Sequence, residues 1–339
     1  MTRRNWLITG GCGFIGRRLI AALLASNAGA IRILDNLSVG SLGDLAATTT
    51  FVKLGLSSAE WPELRDEVQF IEGDVCDAER LMQAARGMHT LVHLAANTGV
   101  GPSVDDPRMD CLTNVVGTLN ALEAARHANV RRFVFASSGA PIGEVTPPIH
   151  EELAPHPVSP YGASKLAGEG YCSAYARTFA LETVALRFGN VYGPGSGHKN
   201  SVVAKFIRDS VDTNVLRING DGSQTRDFVY VDDLVEAILL AADVAAIGGE
   251  IFQIATQTET SISEIAELIQ TTMPKFGIPA PRLEFAAPRL GDVMRNYSDT
   301  SKARQRLGWQ ARTSLDQGIE STIRWFVDGT SSRNHQIPN

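Results

Sequence analysis

Trp6-Leu7-Ile8-Thr9-Gly10-Gly11-Cys12-Gly13-Phe14-Ile15-Gly16 runs a short apolar strand straight into a glycine-rich turn, and Arg17 to Ala25 continues as a helical pattern. Strand, turn and helix in that order open a parallel α/β sheet, with a pyrophosphate received at the free N–H groups of the helix start. Gly10, Gly13 and Gly16 let the chain turn sharply, approach the phosphates and pack helix against strand, and Phe14 and Ile15 stand between the last two. The spacing is Gly-x-x-Gly-x-x-Gly rather than the commoner Gly-x-Gly-x-x-Gly. A second strand, Ile31 to Leu34, ends in Asp35, about twenty residues past the last glycine, where a carboxylate holds a ribose diol. Asn36 and Leu37 follow, with no Arg to meet a 2′-phosphate, so the expected cofactor is NAD rather than NADP.

Working outward, further strands read at Val68 to Ile71, before Gly73-Asp74-Val75, and at Thr90 to His93, before Leu94-Ala95-Ala96. Strand ends of an open parallel sheet face the ligand. Asp74 is placed either to hydrogen-bond an adenine amine or to cap its own loop. The small Ala95 and Ala96 let a cofactor lie close. His93 ends an apolar strand and is expected in the core, not in catalysis. Arg108 to His127 reads as one long helix, and Arg132 to Ala136 as a buried strand that brings Ser137 and Ser138 to the cofactor edge. The span from Ser38 to Glu67, with Trp61, is longer than an ordinary connection and has no functional reading.

A proline-rich loop then leads into Ser159-Pro160-Tyr161-Gly162-Ala163-Ser164-Lys165. Residues four apart share a helix face. An ammonium about 4 Å from the phenol favours phenolate by up to roughly 4 kcal/mol at an effective dielectric near 20. That amounts to about three pKa units, enough to bring a Tyr toward neutrality and let it exchange a proton with an alcohol.

The composition is consistent with this. The 339 residues are 44% hydrophobic and 20% charged, enough for a large core. A net charge of −6 argues against nucleic-acid binding. Cys12, Cys76, Cys111 and Cys172 stand far apart with no Cys-x-x-Cys pair, which suits a reduced compartment and no metal site. The run Leu234 to Ile247 is broken by Glu236 and Asp243 and cannot span a bilayer. A cytoplasmic protein free of the membrane is expected, with a disordered tail over 329–339.

Taken together, the ordered motifs resemble the extended short-chain dehydrogenase/reductases, and within them the nucleotide-sugar 4-epimerases. The likeness runs from Asn5 to Phe326. To the stretches above it adds Arg187-Phe188-Gly189-Asn190-Val191-Tyr192-Gly193-Pro194, Gly220-Asp221-Gly222-Ser223-Gln224-Thr225-Arg226-Asp227-Phe228, and Arg289 with Asp292. The resemblance implies a doubly wound parallel sheet of the Rossmann type with a smaller C-terminal substrate lobe. The nucleotide domain would take residues 1–190 with returning segments near 229–257, and the lobe mainly 191–328. It implies that Tyr161 moves the proton of a sugar 4-hydroxyl, that Ser138 (in preference to Ser137) holds the 4-oxygen, and that Lys165 binds the nicotinamide ribose. NAD would be lined by Gly10, Gly13, Phe14, Ile15, Gly16, Asp35, Asn36, Leu37, Asp74, Val75, Leu94, Ala95, Ala96, Ser137, Tyr161, Lys165 and Phe188. The nucleotide-sugar would be held by Ser138, Asn190, Asn219, Arg226, Arg289 and Asp292, where Arg forks match phosphate oxygens and a carboxylate accepts from a ribose.

The same resemblance carries departures. Related 4,6-dehydratases place Asp-Glu after the catalytic hydroxyl, and this chain has Gly139-Ala140, which can neither remove nor supply a proton. Relatives stack an aromatic ring on uracil where this chain has Asn219, and some close off the sugar C2 substituent with a Tyr where it has Asn296. His198 and Lys199 read as a solvated loop that can also meet a phosphate or a sugar carboxylate. The expected reaction inverts C4 of a UDP-linked hexose, hexosamine or hexuronic acid through a 4-keto sugar. A 4-ketosugar reductase or sugar dehydrogenase and a non-catalytic NAD-binding regulator are the alternatives. A homodimer through the helices near 110–127 and 161–178 is expected from the family.

Overall fold

The computed structural model describes residues 4–55, 64, 67–288 and 293–334. Fourteen strands follow one another along them: β1 (Trp6–Thr9), β2 (Ile31–Asp35), β3 (Phe51–Lys53), β4 (Val68–Glu72), β5 (Thr90–His93), β6 (Arg132–Ser138), β7 (Glu182–Phe188), β8 (Asn190–Tyr192), β9 (Val215–Asn219), β10 (Thr225–Arg226), β11 (Phe228–Tyr230), β12 (Glu250–Ile254), β13 (Thr260–Ser261) and β14 (Arg282–Ala286). Eight of them form one parallel sheet in the order β12-β7-β6-β5-β1-β2-β4-β3.

Both faces of this sheet are apolar, which is why helices cover both. Ile8, Ile33, Val92, Val134, Leu186 and Ile254 point to one side, against Leu19 and Leu23 of helix Phe14–Ala25 and Leu234 and Ile238 of helix Val231–Asp243. Leu7, Leu34, Leu91, Phe133 and Phe135 point to the other, against Leu81, Leu122, Cys172 and Tyr175. Strands buried on both faces lose the polar alternation of a half-exposed sheet. From β1 the chain winds outward through β2 to β4 and returns to β5 on the far side of β1. The direction of winding therefore reverses between β1 and β5, and a crevice opens at their carboxyl ends.

A third core, with Phe206, Leu216, Ile218, Phe228, Ile265 and Ile323, belongs to the smaller lobe. There β9 pairs with β14 and β8 with β11, both parallel, and β10 pairs antiparallel with β13. Trp309 is a buried core ring, 1% exposed, but it packs in the first core, beside helix Val231–Asp243, with its indole N–H on Asp233 O at 2.8 Å.

The structure departs from the sequence reading in two places and fills in a third. The helix expected from Arg108 to His127 is Pro107–Cys111, a π-helical turn over Leu112–Val116, and Gly117–His127. Within that turn Asn114 Nδ2 donates to Asn97 O (3.0 Å), Asp110 Oδ1 (2.9 Å) and Ser164 Oγ (3.1 Å). The span after Ser38 holds helix Leu42–Ala46 and the edge strand β3, whose Phe51 meets Phe70 edge-on at 5.9 Å; Trp61 lies outside the described residues. Helix Leu315–Asn334 runs through Gly329, where a disordered tail was expected to begin; 335–339 are not described.

Candidate active site

The crevice is a cavity of about 360 Å³ lined by the ends of β1, β2, β5, β6 and β7. Its floor is the glycine turn. Gly10 has φ +73°, and a Cβ there would stand 2.8 Å from Ala95 N; a Cβ on Gly16 would lie 2.6 Å from Gly10 O. Neither position tolerates a side chain, so turn, helix start and the Ala95 strand end are drawn together. Asp35 closes one end. Its Oδ2 accepts from Cys12 N at 2.9 Å and its Oδ1 from Leu37 N at 2.8 Å, which fixes the carboxylate at the lip of the cavity. Each oxygen keeps a lone pair for a ribose hydroxyl. A narrow glycine cradle, a helix N-terminus and a carboxylate with free lone pairs fit a dinucleotide.

The Tyr-Lys pair and the two serines stand at the other end. Ser159 Oγ caps helix Pro160–Phe179 by accepting from Gly162 N at 3.1 Å, with Pro160 at the first helical position, where its missing N–H costs nothing. This sets Tyr161 and Lys165 on the face turned to β6. The Tyr161 phenol hydrogen-bonds Ser138, whose Oγ also accepts from Ala140 N at 3.2 Å. Ser137 lines the cavity too, but its hydroxyl donates to Glu169 Oε1 at 2.5 Å, and Glu169 holds Arg187 through two bonds of 2.8 and 2.7 Å. Of the two serines, Ser138 is thus the one beside the phenol.

The electrostatics correct one expectation. Burial pushes the Tyr161 phenol up to about 12, against the pull of the Ser138 hydrogen bond. Burial also brings Lys165 down to about 8, opposed by the neighbouring Asp110. The Lys165 ammonium donates to Ala136 O at 2.8 Å and stands 5.9 Å from the Tyr161 ring centroid, so it does not make the phenol acidic as the four-residue spacing suggested. Desolvation of a phenolate outweighs a cation already committed to a carbonyl.

A second cavity, of about 170 Å³, lies in the smaller lobe and is lined by Asn190, Asn200, Val202, Lys205, Phe206, Arg217, Asn219, Gln224, Arg226 and Ile262. Asn190 lines both cavities and so marks where they meet.

A model of the NAD dependent epimerase/dehydratase family matches residues 6–255. The chain belongs to that family. It is 38% identical over 325 residues to a UDP-glucose 4-epimerase of Mycolicibacterium smegmatis, covering 94% of this chain and 97% of the relative. Among solved structures it is similar to a UDP-glucose 4-epimerase of Thermotoga maritima with UDP-glucose, at a TM-score of 0.84 and 32% identity, over 96% of this chain and 99% of the other. It is likewise similar to a UDP-N-acetylglucosamine 4-epimerase of Methanobrevibacter ruminantium, at a TM-score of 0.84 and 27% identity, over 97% of this chain and all of the other.

For a member of this epimerase/dehydratase family, the structure gathers most of the residues marked in the sequence. Gly10, Gly13, Phe14, Ile15, Gly16, Asp35, Asn36, Val75, Leu94, Ala95, Ala96, Ser137, Ser138, Tyr161, Lys165, Phe188 and Asn190 line the crevice, and Asn190, Asn219 and Arg226 the second cavity. Two do not reach it. Asp74 accepts from Cys76 N (2.8 Å) and Asn36 Nδ2 (2.7 Å), which makes it the cap of its own loop, and Leu37 turns its side chain into the core. Arg289 and Asp292 lie outside the described residues. His93 is buried as expected and is held neutral at about 3 by burial. Thr118 Oγ1 donates to Asn114 O at 2.6 Å, so His93 Nε2 carries the proton toward Thr118 and Nδ1 accepts from Thr9.

Sequence reasoning missed Thr98 and Thr113 on the crevice wall, and Phe206, Arg217 and Gln224 in the second cavity. Phe206 reads as an ordinary core position of a helix, and nothing in its spacing separates a core ring from one that also borders a cavity. Lys199, read as part of a solvated loop, lines the crevice instead.

Proposed function

We propose that the protein is an NAD-dependent epimerase that inverts C4 of a UDP-linked sugar. The observation that carries this reading is the hydrogen-bonded Ser138–Tyr161 pair at the sheet edge of a dinucleotide cavity, followed by Gly139-Ala140 with no carboxylate. Ser138 orients the 4-oxygen, and the Tyr161 phenol takes and returns its proton. Lys165, fixed on Ala136 O, presents its remaining N–H donors to the nicotinamide ribose. NAD, when bound, supplies the hydride acceptor and donor and brings a positive ring charge into the same cleft.

The glycine turn, Asp35 and the Leu94-Ala95-Ala96 strand end hold the dinucleotide. Asn190 and Arg226 hold the nucleotide diphosphate, Arg289 and Asp292 the diphosphate and nucleotide ribose, and Asn219 stands at the base. Phe206 and Gln224 near Asn219 support a pyrimidine in the second cavity, with Asn219 standing where relatives carry their stacking ring. The lobe formed mainly by 191–328 carries the substrate, and 1–190 with the returning 229–257 carries the cofactor. Asn296, in place of a larger ring, leaves room for an N-acetyl group.

Two finer readings accompany this. The protein works as a homodimer, supported by a row of exposed apolar side chains on the helices around 100–116. It works in the cytoplasm, supported by four unpaired thiols. Among the described residues no helix is long and apolar enough to cross a membrane.

The test is NMR of purified protein incubated, without added cofactor, with UDP-glucose, UDP-N-acetylglucosamine and UDP-glucuronate in parallel. A 4-epimer in one tube is the expected result. Silence in all three from protein that carries NAD would overturn the reading, and net oxidation of added NADH by a keto-sugar would replace it with a reductase.

A further inference from the structure

The loop 193–199 leaves β8 and crosses the start of helix Phe14–Ala25. Its backbone is tied down on several sides. Ser196 Oγ donates to Gly193 O at 2.7 Å and Arg17 Nη2 to Gly195 O at 3.0 Å. Arg208 Nη1 donates to Gly197 O (2.7 Å) and Lys199 O (3.2 Å), and His198 Nε2 stands 3.6 Å from Asp44. The Lys199 side chain is different. Among the described residues its ammonium has neither a carboxylate nor a carbonyl partner; it lines the crevice with Ser201 and Asn190, 5.7 Å from the centroid of the Phe14 ring.

A part-buried ammonium with no counter-charge is unfavourable, and burial does hold Lys199 below its ordinary value. Phe14 is the first residue of the helix whose N-terminus closes the glycine turn, a position that itself favours negative charge. Lys199 reaches that position from the other lobe, on an anchored loop that keeps it there.

We propose that Lys199 is a phosphate ligand: it grips a diphosphate in the crevice from the side opposite the glycine turn, and so joins the two lobes across their bound molecules. Two diphosphates enter this crevice on the nucleotide-sugar reading, on which the proposal rests: that of the dinucleotide and that of the sugar nucleotide. The charge that binds either one is the same.

The experiment compares wild type, Lys199→Ala and Lys199→Arg, each checked for an unchanged melting temperature. The first arm measures NAD released per chain on denaturation after gel filtration. The second measures, by calorimetry on NAD-saturated protein, the binding of UDP and dTDP against uridine and thymidine. Loss of one charged hydrogen bond predicts that Lys199→Ala weakens one diphosphate by about tenfold or more. A fall in NAD content assigns Lys199 to the cofactor; weaker nucleotide diphosphate binding with unchanged nucleoside binding assigns it to the substrate. Lys199→Arg keeps most of either. Unaltered NAD content together with unaltered UDP and dTDP binding overturns the proposal, whatever happens to turnover. Neither arm reads epimerisation, so failure of the catalytic reading leaves this test intact.

Discussion

At the scale of single residues, the phenol of Tyr161 shows what spacing can and cannot say. Four residues of separation do put Tyr161 and Lys165 on one helix face, and the sequence alone marks both. It cannot show that the ammonium is engaged by Ala136 O or that burial raises the phenol to about 12. The protein without cofactor therefore keeps Tyr161 protonated throughout the physiological range. Stripped of NAD, wild type minus Tyr161→Phe should show no phenolate absorbance below about pH 10; a phenolate signal near neutrality would mean that Lys165 tunes the phenol unaided. In NAD-loaded protein, Tyr161→Phe should retain the cofactor and lose turnover by at least about a hundredfold, the scale of a lost proton-transfer group. The two serines divide in the same way. Ser138→Ala should lower kcat with little effect on stability, because its hydroxyl bonds the phenol and a loop N–H. Ser137→Ala should mainly lower the melting temperature, since it takes a donor from buried Glu169. Equal kcat losses in the two variants would contradict this division. Adjacent identical hydroxyls at a strand end point to opposite faces, but which face receives substrate depends on Glu169, thirty-two residues on.

At the scale of elements, β1, β2, β4, β5 and β6 were legible because each is a short apolar run, whereas β3 and the short strands of the smaller lobe were not. The π-helical turn at Leu112–Val116 was not, because its cause is a side-chain network around Asn114 rather than a local pattern. The same limit applies to the pair that joins helix Pro160–Phe179 to β7. Glu169 and Arg187 are 2% and 3% exposed and bonded through both ends, yet in the sequence they are merely two charges eighteen residues apart. Glu169→Ala should cost about 3–5 kcal/mol of folding stability in denaturant titration, because it leaves a buried guanidinium uncompensated. A loss below about 1 kcal/mol would mean that water reaches Arg187. His93 links β5 to β1 and to helix Gly117–His127, and it titrates at about 3 when folded against 6.5 as the reference value. Between those values the unfolded chain binds a proton that the folded chain refuses. Stability is complete above about pH 6.5 and declines as pH falls toward 3. His93→Gln should lower stability at neutral pH but flatten the acid limb by about one proton; an unchanged limb would show that other groups set it.

At the scale of the whole molecule, the doubly wound sheet and the two-lobed crevice follow from features that the sequence displays in order, and the outer surface is where one chain's sequence says least. Exposure separates core from surface apolar residues only once the helices are packed. Val100, Val104, Met109, Leu112 and Val116 are then 52%, 60%, 52%, 41% and 38% exposed, along one consecutive stretch. Met109, Leu112 and Val116 fall at spacings of three and four, so they share one face, beside helix Pro160–Phe179 with its exposed Tyr171 and Phe179. Exposed apolar side chains grouped in this way support the proposed pairing of two chains. They flank the segment whose Asn114 bonds Asp110 and Ser164 near the Tyr161 helix start, so the proposed dimer and the proposed active site would share a structural element. Leu112→Glu with Val116→Glu sets two charges on that face. Light scattering should find a dimer for wild type and a monomer for the double variant, with a lower melting temperature and reduced kcat as the Asn114 turn loosens. A monomeric wild type would refute the association. A monomeric variant with full kcat and stability would instead confine the dimer to the surface and separate it from the active-site helix.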